Sequence, residues 1–415
     1  MGTLTVQGLW KSPDNPVIRV PDEEETRELV SFLKSKWIGF VAEASRPVPP
    51  DGYGGAQYVI DDLNRFLRDK GVNTVFFGTA DSTIKTTEKV PIVPSSVLEN
   101  GKFADKALMD AADLITTTWL KEYSRAGKLH LANLHTPYIG PQRYLEEMGV
   151  PILLTPHWDA DGEWNARQAA QIVTTAGGSI AFLSKSQMGL YGEGLHTLGV
   201  VYNPVDVKKI EPQLTASSAQ DSYLAFLGRC GPEKRPELAA KIAIASGVRL
   251  KMVIQCMTHE SWQYFHEKVE PVISTPEGRE LIDWEIKEIG FAEKLDLYRN
   301  AFALLFPITW DEICALTPLE SMATGTPVVA FDWGYIPEAI TPEVGHVIKV
   351  HQKMMQSAYW DEIEEEAVRE AASAVRETIP RIDRRRCREH VEKNFSLDVV
   401  GRRYLLVYSH LLGYQ

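Results

Sequence analysis

The sequence predicts an α/β protein built as two Rossmann-like halves, each a parallel sheet with helices on its faces. Three observations predict it. The chain has 415 residues, too many for one ordinary core, so two domains are expected. Short apolar runs alternate with helical patterns, the order that yields parallel sheets. The alternation restarts at Ser222 after a segment, Val200–Asn203 followed by Pro204-Val205-Asp206, that reads as a linker.

Residues 1–36 read as an N-terminal extension. Within it, Pro21–Ser35 has acids in its first turn and an apolar stripe at Leu29, Phe32 and Leu33, which suits an amphipathic helix. Lys36–Glu43 reads as the first buried strand. A Pro/Gly-rich loop, Arg46–Gly55, then leads to a helix over Ala56–Lys70 and a strand over Thr74–Gly78. Gly54 and Gly55 would let the backbone approach a phosphate or sugar at a helix N-terminus. Turns also need glycine for conformation alone, and both readings stand. Further strands are expected at Leu129–Asn133, Pro151–Thr155 and Ser179–Leu183.

The second half runs through a strand at Ser222–Gly228, a helix at Arg235–Ser246 and a strand at Leu250–Ile254. Glu280–Ile289 is ambiguous between helix and strand. A short helix, Lys294–Asn300, precedes a strand at Ala303–Pro307, and another strand follows at Pro327–Phe331. The tail is helical over Ala367–Thr378 and Asp383–Leu412. The expected division is an extension at 1–36, domains at 37–203 and 204–395, and a terminal helical segment at 396–415 that packs back on the first domain.

Composition narrows the function classes. Formal net charge is −12, which argues against nucleic acid as a partner and against tight docking on anionic lipid. The four cysteines have neither metal-ligand spacing nor a disulfide framework, which points to a reducing, cytoplasmic setting. No signal-peptide pattern and no run of about 18 apolar residues is seen, so no membrane span is expected. Nothing in the sequence speaks to oligomeric state.

The segment richest in chemistry is Trp310–Gly325, WDEICALTPLESMATG. It sets Glu312 and Glu320 eight positions apart, between a strand end and the following helix. Carboxylates so placed can face the crevice where open α/β sheets bind ligands. Thr317-Pro318-Leu319-Glu320 also reads as a capping box, in which Glu320 only satisfies a backbone N–H. About 80 residues earlier, Gly228-Arg229-Cys230-Gly231-Pro232-Glu233-Lys234 brackets a tight turn with Arg229 and Lys234. Two cations there can neutralise a diphosphate, and a solvated basic loop would have the same residues. His135 and His157 each follow a strand. Asp159 and Asp161 lie near His157, and no metal is expected there, because an H-x-D-x-D loop usually precedes a helix.

These segments, in this order, resemble the retaining GT-B glycosyltransferases of family four (glycosyl transferases group 1). Glu312 and Glu320 match the family's E-x7-E signature. Arg229 and Lys234 match its G-R-x(4)-K-G pattern, with Arg235 in place of the last glycine. The run PPDGYGGAQYVIDDLNRFLRDKG matches its acceptor-domain opening. The resemblance covers roughly residues 36–412 and implies a GT-B fold with an interdomain cleft.

It also implies transfer of a sugar from a nucleoside-diphosphate donor with retention at the anomeric carbon, with no metal and no further cofactor. UDP-sugar is favoured, and GDP- or ADP-sugar remains open. Arg229, Lys234 and the backbone N–H groups of Leu316 and Thr317 would hold the diphosphate, Glu312 the sugar hydroxyls and Glu320 the ribose. His157 would act on the donor sugar, with His135 as a further cleft residue. The acceptor, a small molecule or glycan, would enter by the loop at Tyr53–Gln57, with Gly54 and Gly55. Cys314-Ala315 replaces the family's Phe-Gly, which leaves the loop conformation open to question. A catalytically dead sugar-nucleotide-binding protein, a GT-B epimerase and a GT-B phosphorylase are the alternatives. A nicotinamide dehydrogenase is disfavoured, because no G-x-G-x-x-G follows the first strand.

Overall fold

Trp37–Ala42 and Leu224–Arg229 are the strands from which the two sheets are wound outward. The computed structural model describes residues 9–12, 15–52, 54–96, 106–137, 142–161, 166–215, 222–356 and 360–414. The chain divides into two units: Met1–Pro204 with Leu397–Gln415, and Val205–Ser396.

The first unit contains β1 (Trp10–Ser12), β2 (Asn15–Ile18), β3 (Trp37–Ala42), β4 (Asn73–Thr79), β5 (Glu88–Val93), β6 (Leu131–His135), β7 (Ile152–Leu154), β8 (Ser179–Phe182) and β9 (Thr197–Val200). Among the described residues these form one sheet of order β1-β2-β9-β8-β7-β6-β3-β4-β5. From β2 to β9 all neighbours are parallel, and only the edge strand β1 is antiparallel. The order reverses between β3 and β6. Connections leave in opposite directions there, which opens a crevice at the carboxyl ends of those two strands.

Side chains from within residues 9–36 are part of this unit's core, which corrects the reading of that segment as an extension. Leu9, Ile18, Leu29 and Leu33 are buried in the same cluster as Phe40 and Phe76. The amphipathic helix forms over Glu23–Leu33, capped by Asp22, whose carboxylate accepts from the backbone N–H groups of Glu24 and Glu25 at 3.0 and 2.9 Å. The strand pair β1–β2 had no sequence signal, because short edge strands carry little apolar periodicity.

The terminal helix, Leu397–Leu411, belongs to the same unit. It buries Tyr404, Leu405, Val407 and Tyr408 against Val59, Ile60, Leu63 and Leu67 of the helix Gly55–Asp69. Gly401 permits the close approach: a Cβ there would lie 2.5 Å from the ring of Phe66. Asn133 of β6 donates to the Tyr408 hydroxyl at 2.8 Å and accepts from Thr155 at 2.9 Å, so this helix is keyed to the sheet.

The second unit has β10 (Leu224–Arg229), β11 (Leu250–Gln255), β12 (Ile282–Ile286), β13 (Ala303–Phe306), β14 (Val328–Phe331) and β15 (Gly345–Ile348). The sheet order is β12-β11-β10-β13-β14-β15, with all neighbours parallel. The ambiguous stretch resolves as the helix Pro276–Leu281 running into β12. This sheet reverses between β10 and β13, the doubly wound order with its crevice beside Arg229 and Phe306. Arg384 is buried beneath it and donates to the carbonyls of Gln213, Ala301 and Arg299 and to Thr326 Oγ1. A buried guanidinium held by several acceptors fixes the packing of its helix.

Candidate functional site

The loops after β10 and β13 flank the crevice of the second unit, and the charged residues singled out in the sequence sit on them. Arg229 ends β10. Lys234 lies in the turn that follows, before the helix Pro236–Ser246. The Lys234 ammonium forms a short ion pair with Glu312 Oε2 in the loop after β13. Both side chains are largely buried, at 15% and 12% exposure, so the charges are little screened by water. Trp310 Nε1 donates to the same carboxylate oxygen at 3.2 Å. The ammonium also lies 5.6 Å from the Trp310 ring centre, within cation–π range. Burial pushes the Glu312 carboxyl up, but Lys234, Trp310 and Arg229 together bring it below its ordinary value.

The two loops are tied to each other. Thr309 N–H donates to the Glu233 carbonyl at 3.3 Å, and its hydroxyl donates to the Pro232 carbonyl at 3.2 Å. Glu312 is held from the other side by Gly334-Tyr335. Tyr335 N–H donates to the Glu312 carbonyl at 2.9 Å, and its hydroxyl donates to the Ala315 carbonyl at 2.5 Å. Gly334 has φ +58°, and a Cβ there would lie 2.2 Å from the Glu312 carbonyl oxygen. Only glycine fits. Trp310, Gly334 and Tyr335 were not assigned roles from sequence, although the fragment Gly334-Tyr335-Ile336-Pro337-Glu338 is conspicuous beside the strand.

Arg229 leans on Glu233 at 3.0 Å and remains 44% exposed, so its guanidinium is accessible. Arg235 adopts φ +52°, the left-handed region, which explains the glycine that the resembled pattern places there. Arg235 accepts the strain while pairing with Glu237 at 2.5 Å and with Glu364. Ala315 behaves differently. Its φ of −62° and ψ of 138° are extended backbone that alanine adopts freely, so the departure at Cys314-Ala315 does not distort the loop.

The helix after Glu312 runs Leu316–Ala323, with Ala315 as N-cap and no side-chain cap. Thr317 is therefore inside the first turn, and the capping-box reading fails. The N–H groups of Leu316 and Thr317 point out of the uncapped helix start, a position that favours an anion. Glu320 is buried on this helix. Its Oε1 accepts from Lys294 at 2.6 Å, and its Oε2 has no hydrogen-bond partner. Lys294 could not be found from local pattern, since it reaches Glu320 across 26 positions.

In the first unit, His135 ends β6 and His157 follows β7. Their rings meet, His135 Nδ1 to His157 Nε2, at 2.8 Å. Burial holds both below the ordinary imidazole range, His157 at about 3, so both are neutral at physiological pH. His135 also stacks on Phe40 of β3, with ring centres 5.9 Å apart. Gly54 caps the helix Gly55–Asp69 with φ +153°, and a Cβ there would strike Pro50 at 2.9 Å. Gly55 faces open space. Tyr53 lies outside the described residues. Asp161 pairs with Arg167 at 2.6 Å. Among the described residues no cluster of three or more His, Cys, Asp or Glu side chains could hold a metal ion, and no helix is long and apolar enough to cross a membrane.

Comparison with known proteins bears on this geometry. Residues 284–380, which contain Glu312, Glu320 and Lys294, match the family described as Glycosyl transferases group 1. That match covers 97 of the chain's 415 residues. A curated relative, the O-antigen chain mannosyltransferase RfbU of Salmonella typhimurium, is 23% identical over 168 residues. That match spans 40% of this chain and 45% of the relative's length. Among solved structures, the chain resembles AviGT4, a glycosyltransferase involved in avilamycin A biosynthesis. The TM-score is 0.62 at 20% identity, over 92% of this chain and 99% of that one. It also resembles HepE of Anabaena in complex with UDP, with a TM-score of 0.63 at 14% identity over 90% and 100% of the two chains. At these identities the likeness establishes the fold, which is GT-B: two doubly wound parallel sheets, one in each unit.

Proposed function

We propose that the chain is a retaining hexosyltransferase that moves a sugar from UDP-sugar to a hydroxyl of a soluble acceptor, in the cytoplasm and without a metal. The observation that carries this is the Lys234–Glu312 pair beside Arg229 at the β10/β13 reversal, next to an uncapped helix start. It supplies what a departing diphosphate needs: a buried ammonium, an accessible guanidinium and N–H groups aimed one way. HepE, which shares the fold, has been solved with UDP and with UDP-glucose, and this favours the uridine donor.

In this reading the bond between the anomeric carbon and the β-phosphate oxygen breaks as the bond to the acceptor oxygen forms on the same face. The acceptor proton passes to the leaving phosphate. Lys234 keeps one N–H on Glu312 and turns its others to the phosphate, where charge grows. Glu312, fixed by Trp310, Gly334 and Tyr335 and ionised at neutral pH, orients the sugar hydroxyls. Glu320 offers its unpartnered Oε2 to a ribose hydroxyl. Neutral His157 offers a hydrogen bond and no charge. Gly54 and Gly55 open the acceptor side. The extended backbone at Ala315 favours this reading over a catalytically dead protein, since the departure costs the loop nothing.

A thermal-shift screen of UDP, GDP and ADP tests the reading, because a ligand that binds only the folded protein raises the melting temperature by mass action. UDP is expected to give the largest shift, and Lys234→Ala and Arg229→Ala should each diminish it. No shift with any of the three nucleotides would sink the proposal.

A further inference from the structure

The crevice between β3 and β6 in the first unit holds a charged group that no role above uses. Glu43 directly follows β3. Its Oε1 accepts a short hydrogen bond from the Ser45 hydroxyl and a longer one, 3.4 Å, from Gln57 Nε2. Its Oε2 is buried and has no hydrogen-bond partner. Such a group costs folding free energy when left unsatisfied. Burial accordingly raises the carboxyl above its ordinary range, against the pull of Ser45, Gln57 and Arg46.

Glu43 borders a recess of about 10 Å³ whose other lining residues include Asp113, Thr116 and Thr136. That is room for about one water-sized group, the size of a hydroxyl. The lining is mixed: Glu43, Asp113, Thr116 and Thr136 stand among apolar residues such as Val41, Ile92 and Ala112. Gln57, on the first turn of the helix Gly55–Asp69, ties Glu43 to the glycine-rich loop. Buried carboxyl oxygens are ordinarily paired. Oε1 is locked by two donors, while Oε2 is buried and unpaired on a side chain that borders the recess, a need that a hydroxyl reaching it would meet.

We propose that Glu43 reads the acceptor: its Oε2 accepts a hydrogen bond from one hydroxyl of a polyhydroxylated compound, seated beside Asp113, Thr116 and Thr136. This rests on the transferase reading. A carboxylate oxygen satisfied only by the correct substrate discriminates strongly against an analogue lacking that hydroxyl, since the analogue leaves it buried and unpaired.

The test follows UDP release from UDP-glucose by the full chain, with D-glucose, methyl glucosides or myo-inositol as acceptors. At least one of these polyols should accelerate UDP release in the native protein. Glu43→Ala and Glu43→Gln should then raise the KM for that polyol about tenfold or more, the equivalent of one buried hydrogen bond. The Kd for UDP, a separate titration, should stay as it was. The melting temperature of Glu43→Gln should hold or rise at neutral pH, because the amide removes a buried carboxyl that resists ionisation. An unchanged polyol KM in both variants would mean that the recess holds only water, and would overturn the proposal. So would the absence of acceleration by every polyol in a protein that binds UDP. Failure of the native chain to bind any nucleoside diphosphate would instead defeat the transferase reading itself.

Discussion

At the residue scale the decisive object is the pair of Lys234 and Glu312. Two largely buried opposite charges are stabilising as a pair and costly singly, because removing one strands the other away from water. Glu312→Gln is therefore expected to cost about 3 kcal/mol at neutral pH besides its effect on turnover. The pH dependence has a definite sign. The carboxyl lies below its ordinary value in the folded protein, so its stabilisation is fully present above about pH 5 and is lost as pH falls through that lowered value. Melting temperatures of the native chain and Glu312→Gln should thus converge on acidification below about pH 4. A gap that stays constant to pH 3 would mean that the pair contributes nothing through ionisation. Glu312 and Lys234 were legible in the sequence because their motifs are local. That they pair, across 78 positions, was not, and neither was the anchoring of Glu320 by Lys294.

At the scale of elements, the loop after β13 matters more than the helix behind it. The sequence offered two accounts of Thr317-Pro318-Leu319-Glu320, and the backbone decides between them, since Ala315 and not Thr317 precedes the first helical residue. Capping motifs are readable only when the helix start is known, and helix starts are the least certain part of any sequence reading. The loop itself is gripped by Gly334, whose backbone rests on that of Glu312. Gly334→Ala would impose both a left-handed strain and a clash with the Glu312 backbone. We expect turnover to fall much more than stability does, with the melting free energy lowered by about 1–3 kcal/mol. Steady-state kinetics beside calorimetry measures both. A variant that melts lower but turns over normally would show that the grip of Gly334 on Glu312 is structural alone.

At the scale of the molecule, the α/β class was legible because interior parallel strands are continuous apolar runs, as in Trp37–Ala42 and Ala303–Phe306. The edges were not. The strands β1 and β2 and the helix Glu23–Leu33 looked like an appendage because nothing local says what buries them. Their partners lie some 380 positions away: Arg402 donates to Glu23 at 2.8 Å and also to the Pro21 carbonyl. The segments 9–33 and 397–411 therefore contribute to one core, and this has a measurable consequence. Deleting residues 397–415 removes Val400, Tyr404, Leu405, Val407 and Tyr408 from that core. At about 1.5–3 kcal/mol for each buried side chain, the loss is about 7–15 kcal/mol, comparable to the whole stability of a typical domain. Hydrogen exchange followed by mass spectrometry should then show protection lost in β3, β4 and β6. The strands β10, β11 and β13, whose core contains none of those side chains, should keep theirs. Retained protection in β3 and β6 after the deletion would mean that the terminal helix covers the core without holding it together.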